Sequence, residues 1–473
     1  MRFRFIFPLV LAFFCVSAVC ACAAPENQTG GIPSDTVPHA AAVYYVAVSG
    51  SDENPGTQDS PWKTFAHAVA IVEPGDTVLV RGGTYFERLV PQTSGADGAP
   101  IVFSAYPGEK PVLSGESLSL GGDDTQNAIV VLQNVGYIHI EGFSIQDYIS
   151  YDERMPSGVF VSGSGCGIEI TACSVSGIRT IYSAGDAVES RNAHAIAVYG
   201  TDGDTAIDKI VIDGCEVFEN TLGSSEAIAL NGNVTNFSVT NNHVHDNDNI
   251  GIDFIGFEGT APKNDRARNG ICSGNTIRNI SSADNPAYGG AAGAGGIYVD
   301  GGKGIVIEGN RIESCDIGIE AASEHFGRAT EQIVIRNNVI ADCNAVAGIA
   351  FGGYDALRGR AESIKIYNNT IFSSTPGILI QHHCQYKTNE ICNNILCPDG
   401  TIAGGTDHIR ISNNFSSDPD FTNADTGDFR LSSGSAAIDA GIVSEWCGGF
   451  DFALNTRVSG DAVDCGALEF QQP

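Results

Sequence analysis

From about residue 157 to 420, short apolar strands alternate with polar turns, and one phrase recurs. It is a strand opening with Gly-Ile or Ala-Ile, a second short strand, and a pair ending in Asn. The openings are Ala195-Ile196, Ala227-Ile228, Gly251-Ile252, Gly296-Ile297, Gly318-Ile319, Gly348-Ile349 and Gly377-Ile378. The closings are Asn242, Asn275, Asn310, Asn338, Asn369, Asn394 and Asn414. A repeat of roughly 20 to 50 residues made of short β-branched strands cannot bury its own apolar face, so it must stack on its neighbours. The pattern predicts an all-β solenoid in which each Asn sits inward at a turn and pins the register, because Asn tolerates left-handed backbone and its amide can bond along a stack.

Side chains of a strand alternate between its two faces, so aligning the openings sorts the positions into columns. The Ile and the residue two beyond it point inward: Ile228 and Leu230, Ile252 and Phe254, Ile297 and Val299, Ile349 and Phe351. The first outward column reads Ala197, Ala229, Asp253, Tyr298, Glu320, Ala350, Leu379, and the second Tyr199, Asn231, Ile255, Asp300, Ala322, Gly352, Gln381. His194 and Glu226 stand one step before their openings, and Glu258, Glu324-His325, Tyr354-Asp355 and His382-His383 follow the strands. Asp253, Tyr298, Asp300 and Glu320 thus gather on three consecutive coils, among neighbours that are mostly Ala or Gly. Such a solvent-facing floor suits a groove for an extended polymer. Coils stack about 4.8 Å apart and alternate residues of a strand lie about 6.6 Å apart, which puts Asp253 and Asp300, and Asp300 and Glu320, each roughly 8 Å apart.

Before the repeats, Tyr44-Tyr45-Val46 to Glu87 reads as strand, turn, helix, strand. Ser60 is the expected N-cap with Pro61 at the first helical position, and Trp62, Phe65, Val69 and Val72 share one face. A helix there would cover the raw edge of the first coil. The run YYVAVSGSDENPGTQDSPWKTFAHAVAIVEPGDTVLVRGGTYFE resembles the N-terminal cap of secreted right-handed parallel β-helix proteins of the pectin-lyase-like superfamily, and FRLSSGSAAIDAG with DFALNTRVSGDAVDCGALEF resembles their C-terminal segment. The resemblance implies one right-handed parallel β-helix with three strands per coil over 43–473, its N-terminal cap at 43–90 and its C-terminal cap segment at 425–473. It does not fix an activity, because that superfamily holds polysaccharide lyases, hydrolases and uronate epimerases.

Arg2 and Arg4, an apolar run from Phe5 to Val19 and then small residues read as an export signal over 1–23, followed by a flexible linker over 24–42. Two cleavages are readable: one after Ala23, and one just before Cys22, where a lipid anchor would be attached. The expected location is extracellular, cell-surface or periplasmic, with no transmembrane segment in the mature chain and a monomeric state. Net charge is −31, with Lys+Arg 25 against Asp+Glu 56, which repels nucleic acid and anionic lipid. Of 14 Cys, three lie in the signal, and an odd remainder without C-x-x-C spacing points to buried thiols rather than a disulfide framework.

The candidate catalytic residues are Asp253, Asp300, Glu320, Tyr298 and His325, and the candidate substrate-binding residues are Glu226, Asn231, Arg328 and Tyr354. Inverting glycosidases hold two carboxyls about 6.5 to 9.5 Å apart, which the column spacing matches. A lyase instead needs a cation to neutralise a uronate carboxylate and a base for the C5 proton. Asp253, Asp300 and Glu320, joined by Asp246 and Asp248, could bind Ca²⁺ through oxygen. Arg266, Arg268 or Arg328 could supply charge, and Tyr298 or His325 the base. The outward columns lack the Lys or Arg base of calcium-dependent pectate lyases with this architecture, and the Asn-Thr-Asp and Arg-Ile-Lys motifs of β-helical polygalacturonases are missing too. The expected partner is a polysaccharide, cleaved by elimination or inverting hydrolysis or, failing those, epimerised. The alternatives are a non-catalytic glycan-binding or adhesion protein, and a structural repeat whose 56 acidic residues simply occupy solvated strand faces.

Overall fold

The structure is a computed structural model that describes residues 39–183, 190–384, 388–398 and 400–471. The expected signal, the linker as far as residue 38 and Cys22 lie outside the described residues. From Val43 the chain winds into three long parallel sheets. The first has thirteen strands, from Val43–Val46 to Ile409–Ser412; the second has eleven, from Gly83–Tyr85 to Ile395–Cys397; the third has ten, from Ala128–Gln133 to Ile402–Gly404. One coil takes a strand from each, as in Ser238–Thr240, His243–Asn247 and Ile252–Ile255. Each strand pairs in parallel with its counterpart one coil on. This is the right-handed parallel β-helix that the repeats and end signatures predict, the hand being that of nearly all parallel crossovers.

Alternation supplies the core. Ile228, Leu230, Ile252, Phe254, Ile297, Val299, Ile349 and Phe351 are all fully buried inside the coil. Phe237 stacks on Phe254 at 4.8 Å, and only glycine fits beside them at 270, where a Cβ would lie 2.1 Å from the Phe237 ring.

The Asn column is a continuous ladder between the first and second sheets. The Asn275 Oδ1 accepts from the Asn242 backbone N–H at 2.9 Å and from its Nδ2 at 3.0 Å, and Asn310, Asn338, Asn369, Asn394 and Asn414 repeat the bond. The residue before each rung is left-handed: φ is 54° at Asn241, 66° at Gly274, 55° at Asn337 and 52° at Asn368. Asn and Gly are the residues that enter this region at least cost, which is why the repeats close on Asn-Asn or Gly-Asn. Cys173 and Cys215 take the ladder position in earlier coils, and the Asn242 Oδ1 accepts from the Cys215 N–H at 2.9 Å. All eleven cysteines from Cys166 to Cys465 are buried.

The ends depart from expectation in detail. The capping helix α1 spans Phe65–Ile71 and its N-cap is Thr64, whose Oγ1 accepts from the His67 N–H at 3.1 Å. Ser60 and Pro61 are not its start. Trp62 bridges to Val46 as extended chain, and the Asp52 carboxylate accepts from the Lys63 and Thr64 N–H groups. The residues from Phe421 form a hairpin, Phe421–Asn423 against Asp428–Leu431, and then run along the side of the last coils. There Asn337, Asn368 and Asn393 donate to the carbonyls of Cys447, Asp464 and Ile442. Among the described residues no helix is long and apolar enough to cross a membrane.

Candidate functional site

The third sheet holds the residues that the columns single out. Its register aligns Ala229, Asp253, Tyr298, Glu320, Ala350 and Leu379 across successive coils, and Asp300 with Ala322 and Gly352. Both columns point away from the coil interior, yet they do not face open solvent. Asp253 is 2%, Asp300 3%, Tyr298 5% and Glu320 6% exposed. The correction has a topological cause. Tyr288, from the segment before the third-sheet strand, and Glu324 and Tyr354, from the loops after two others, line a cavity of about 270 Å³ with Tyr298, Glu320 and Gln381. Glu320 and Glu324 line this cavity; Asp253 and Asp300 are as deeply buried but are not among its lining residues, so the acids do not form an open floor.

Asp300 and Glu320 are held by different partners. The Glu324 backbone N–H donates to the Asp300 Oδ1 at 2.7 Å, and His325 Nε2 lies 3.9 Å from the other oxygen. The Gln381 amide donates to the Glu320 Oε1 at 2.8 Å, and the Tyr298 hydroxyl to the Glu324 Oε1 at 3.3 Å. The Asn231 amide donates to the Glu258 Oε2 at 2.7 Å. The Asp253 Oδ1 is buried with no hydrogen-bond partner.

Burial dominates the electrostatics, and mutual repulsion adds to it. Desolvation, reinforced by Glu226 and Asp300, pushes the Asp253 carboxyl well above its ordinary range. Desolvation and Glu324 do the same to Asp300. Burial lifts Glu320 to about 7, and burial with the Glu258 charge lifts half-buried Glu226 to about 8. Burial, then Asp300, pushes the Tyr298 phenol well above its ordinary range. Behind Glu226, His194 is sunk to about 4 by burial; its Nδ1–H donates to the Glu226 carbonyl at 2.8 Å and its Nε2 accepts from the Tyr199 hydroxyl at 3.0 Å.

Several expected partners stand elsewhere. Arg266 and Arg328 both stack on Phe257, at 4.8 and 4.9 Å, and Arg266 is tied to Glu331 at 2.7 Å. Arg268 donates to Asn233. The guanidinium that reaches the cluster is Arg358, 3.8 Å from Glu324 and 4.4 Å above the Tyr354 ring. It lies in a loop, where no column places a residue. Asp246 belongs to the second sheet, and Asp248 accepts from the Leu222 N–H, so neither joins Asp253. Among the described residues the group here that could share an ion is Glu258, Asp300 and His325, whose ligating atoms lie within 4.8 Å of one another; Asp253 and Glu320 are not part of it. Two carboxylates and an imidazole fit Ca²⁺ poorly, since it takes 6 to 8 oxygens.

Fold and cleft define a β-helix protein of the pectin-lyase-like superfamily. The model of the Pel9A-like right-handed β-helix region matches residues 44–199. The uncharacterized protein YwoF of Bacillus subtilis (strain 168) is 42% identical over 378 residues, covering 78% of this chain and 76% of YwoF. The chain belongs to the YwoF family of right-handed β-helix proteins. The pectate lyase PEL9 of Emericella nidulans is 33% identical over 122 residues, 25% of this chain and 29% of the relative. The crystal structure of pectate lyase Pel9A has the same fold, with a TM-score of 0.51 at 16% identity over 90% of this chain and 96% of that one.

Proposed function

We propose that this chain is an exported enzyme that cleaves a polysaccharide in the cleft of the third sheet, by inverting hydrolysis through a pair of carboxyls. The observation that carries the reading is the stack of Asp253, Asp300 and Glu320 on three consecutive strands, each buried, each raised in pKa and each outside the coil core. Without a function, three desolvated acids so close together would be a cost to the fold. Export rests on the N-terminal sequence alone.

Asp300, held protonated by burial, is the general acid that donates to the glycosidic oxygen. Asp253 is on the adjacent strand, and its Oδ1 has no other partner, so once ionised it is placed to accept a proton from an attacking water, which its own raised pKa confines to the upper end of the pH range. A backbone separation of roughly 8 Å leaves room for that water. Tyr298 stands between Asp253 and Glu320 in the same column and offers a ring to a sugar. Glu226 and the exposed Tyr354 continue the surface on either side, while Asn231 is buried beside Glu258 and Arg328 is held on Phe257.

Elimination is the second reading, supported by the pectate lyases among the relatives. It would need a cation beside the uronate, and Glu258 with Asp300 is where Ca²⁺ would have to sit. Purified protein incubated with polyuronates and neutral glycans, with and without Ca²⁺, separates the cases. New reducing ends without ultraviolet absorbance support hydrolysis; absorbance of an unsaturated uronate supports elimination; glycan binding without product supports a non-catalytic role.

A further inference from the structure

A second cluster of chemically competent side chains stands on the second sheet, away from the cleft. Glu216 opens the strand Glu216–Phe218, and the next coil contributes His243 and His245 from His243–Asn247. The register pairs Glu216 with His243 and Phe218 with His245, so all three polar side chains leave the outer face of two adjacent coils. The Glu216 Oε1 lies 3.7 Å from His243 Nδ1 and 3.4 Å from His245 Nε2, and one ligating atom from each residue lies within 4.8 Å of the other two. Bonds of about 2.0 to 2.2 Å around a tetrahedral ion put neighbouring ligand atoms roughly 3.4 Å apart.

The surroundings orient these ligands. The His245 Nδ1–H donates to Asp246 Oδ2 at 2.7 Å, which leaves Nε2 as the atom aimed at Glu216. Asp246 is itself turned back by a left-handed backbone, φ 53°, and its other oxygen accepts from the Asn279 amide at 2.8 Å. Phe218 stacks on the His245 ring at 5.1 Å and 7°, fixing its plane. Nε2 and the Glu216 Oε1 are within hydrogen-bond reach at 3.4 Å, and an ion ligated by both would take the place of the proton they share. Arg278, in the His245 column one coil on, is exposed and can swing into water.

We propose that Glu216, His243 and His245 bind a divalent transition metal of zinc type, with Asp246 as the positioning residue behind His245. Two imidazoles and one carboxylate select such an ion over Ca²⁺ or Mg²⁺. A carboxylate behind a ligating His is the outer partner that metal sites regularly carry. Three protein ligands, one of them exposed, leave the fourth position to water. Because the ligands come from successive coils, the ion clips one coil to the next and binds the folded chain in preference to the unfolded one.

Calorimetry and thermal unfolding of the purified full chain with Zn²⁺, and separately with Ca²⁺, test this. Zn²⁺ is expected to bind with a stoichiometry near one at this site and to raise the unfolding midpoint, with no such response to Ca²⁺ here. His243→Gln and Glu216→Gln should abolish the shift while keeping the metal-free midpoint, and Asp246→Asn should weaken binding about 10- to 100-fold. If His243→Gln fails to fold, Glu216→Gln, at an exposed position, carries the test alone. Zn²⁺ binding that survives Glu216→Gln but is lost in His325→Gln would place the ion in the cleft and overturn the proposal. A wild-type chain whose midpoint ignores Zn²⁺ would also overturn it.

Discussion

Gln381 donates its side-chain amide to Glu320 from two coils away, at 2.8 Å, and so holds a buried carboxyl in place without a cation to neutralise it. The acid remains expensive to ionise, and the cleft becomes a pH-sensitive part of the fold.

Stability should therefore fall as the pH rises. Glu320 and Glu226 are both raised from an ordinary 4.5, to about 7 and about 8. A group raised in the folded state binds its proton more tightly there than in the unfolded chain, so its contribution is complete below about pH 4.5 and is lost on passing through 7 to 8. Folding stability should drop between pH 5 and pH 8, by up to about 1.4 kcal/mol per pH unit for each acid, read as falling denaturation midpoints. Glu320→Gln should flatten part of that slope; a profile that rises over this range would contradict the account.

Asp300→Asn should abolish turnover on any substrate the wild type cleaves while preserving the fold, because the Asn oxygen can still accept from the Glu324 N–H. Comparing initial rates and melting curves of the two proteins checks this. Wild-type rates would remove Asp300 from the chemistry.

The Asn ladder should carry stability and no chemistry. Asn338 is fully buried, its Nδ2 donates to the Ile307 carbonyl and the Asn369 Oδ1, and its own Oδ1 accepts from Asn310. Asn338→Leu orphans these groups and should cost at least about 1 to 3 kcal/mol, read as a lower unfolding midpoint. The specific activity of the folded fraction should be unchanged.

The thiols should be silent in the folded protein. All eleven described cysteines are buried, and burial raises Cys272 and keeps it a neutral thiol. A thiol reagent should label the native chain far less than the denatured one, and reductant should not lower the unfolding midpoint. Fast native labelling would show coils that open locally.

Much of this molecule is legible in its sequence because the repeat turns a three-dimensional problem into a local one. The period-2 alternation and the Gly-Ile openings fix which side chains face inward, and the observed register reproduces the first outward column, because parallel coils stack like upon like; the second breaks between Ile255 and Asp300, where Ile255 bridges to Gly301 instead. The Asn-Asn and Gly-Asn closings announce a left-handed turn followed by an inward amide, and the ladder is its direct consequence. Chain geometry of this kind also contained Glu216, His243 and His245, but only alignment of the second-sheet strands brings them together. What the sequence could not decide was where the loops go. Asp253 and Glu320 are outward by alternation and buried by loops whose paths no periodicity encodes. The same loops bring Arg358 to Glu324, and Glu258 and His325 to Asp300, across separations of up to 42 residues in the chain. Desolvation under those loops, rather than charge spacing along the columns, sets the protonation of the acids, and that is a property of the folded surface alone.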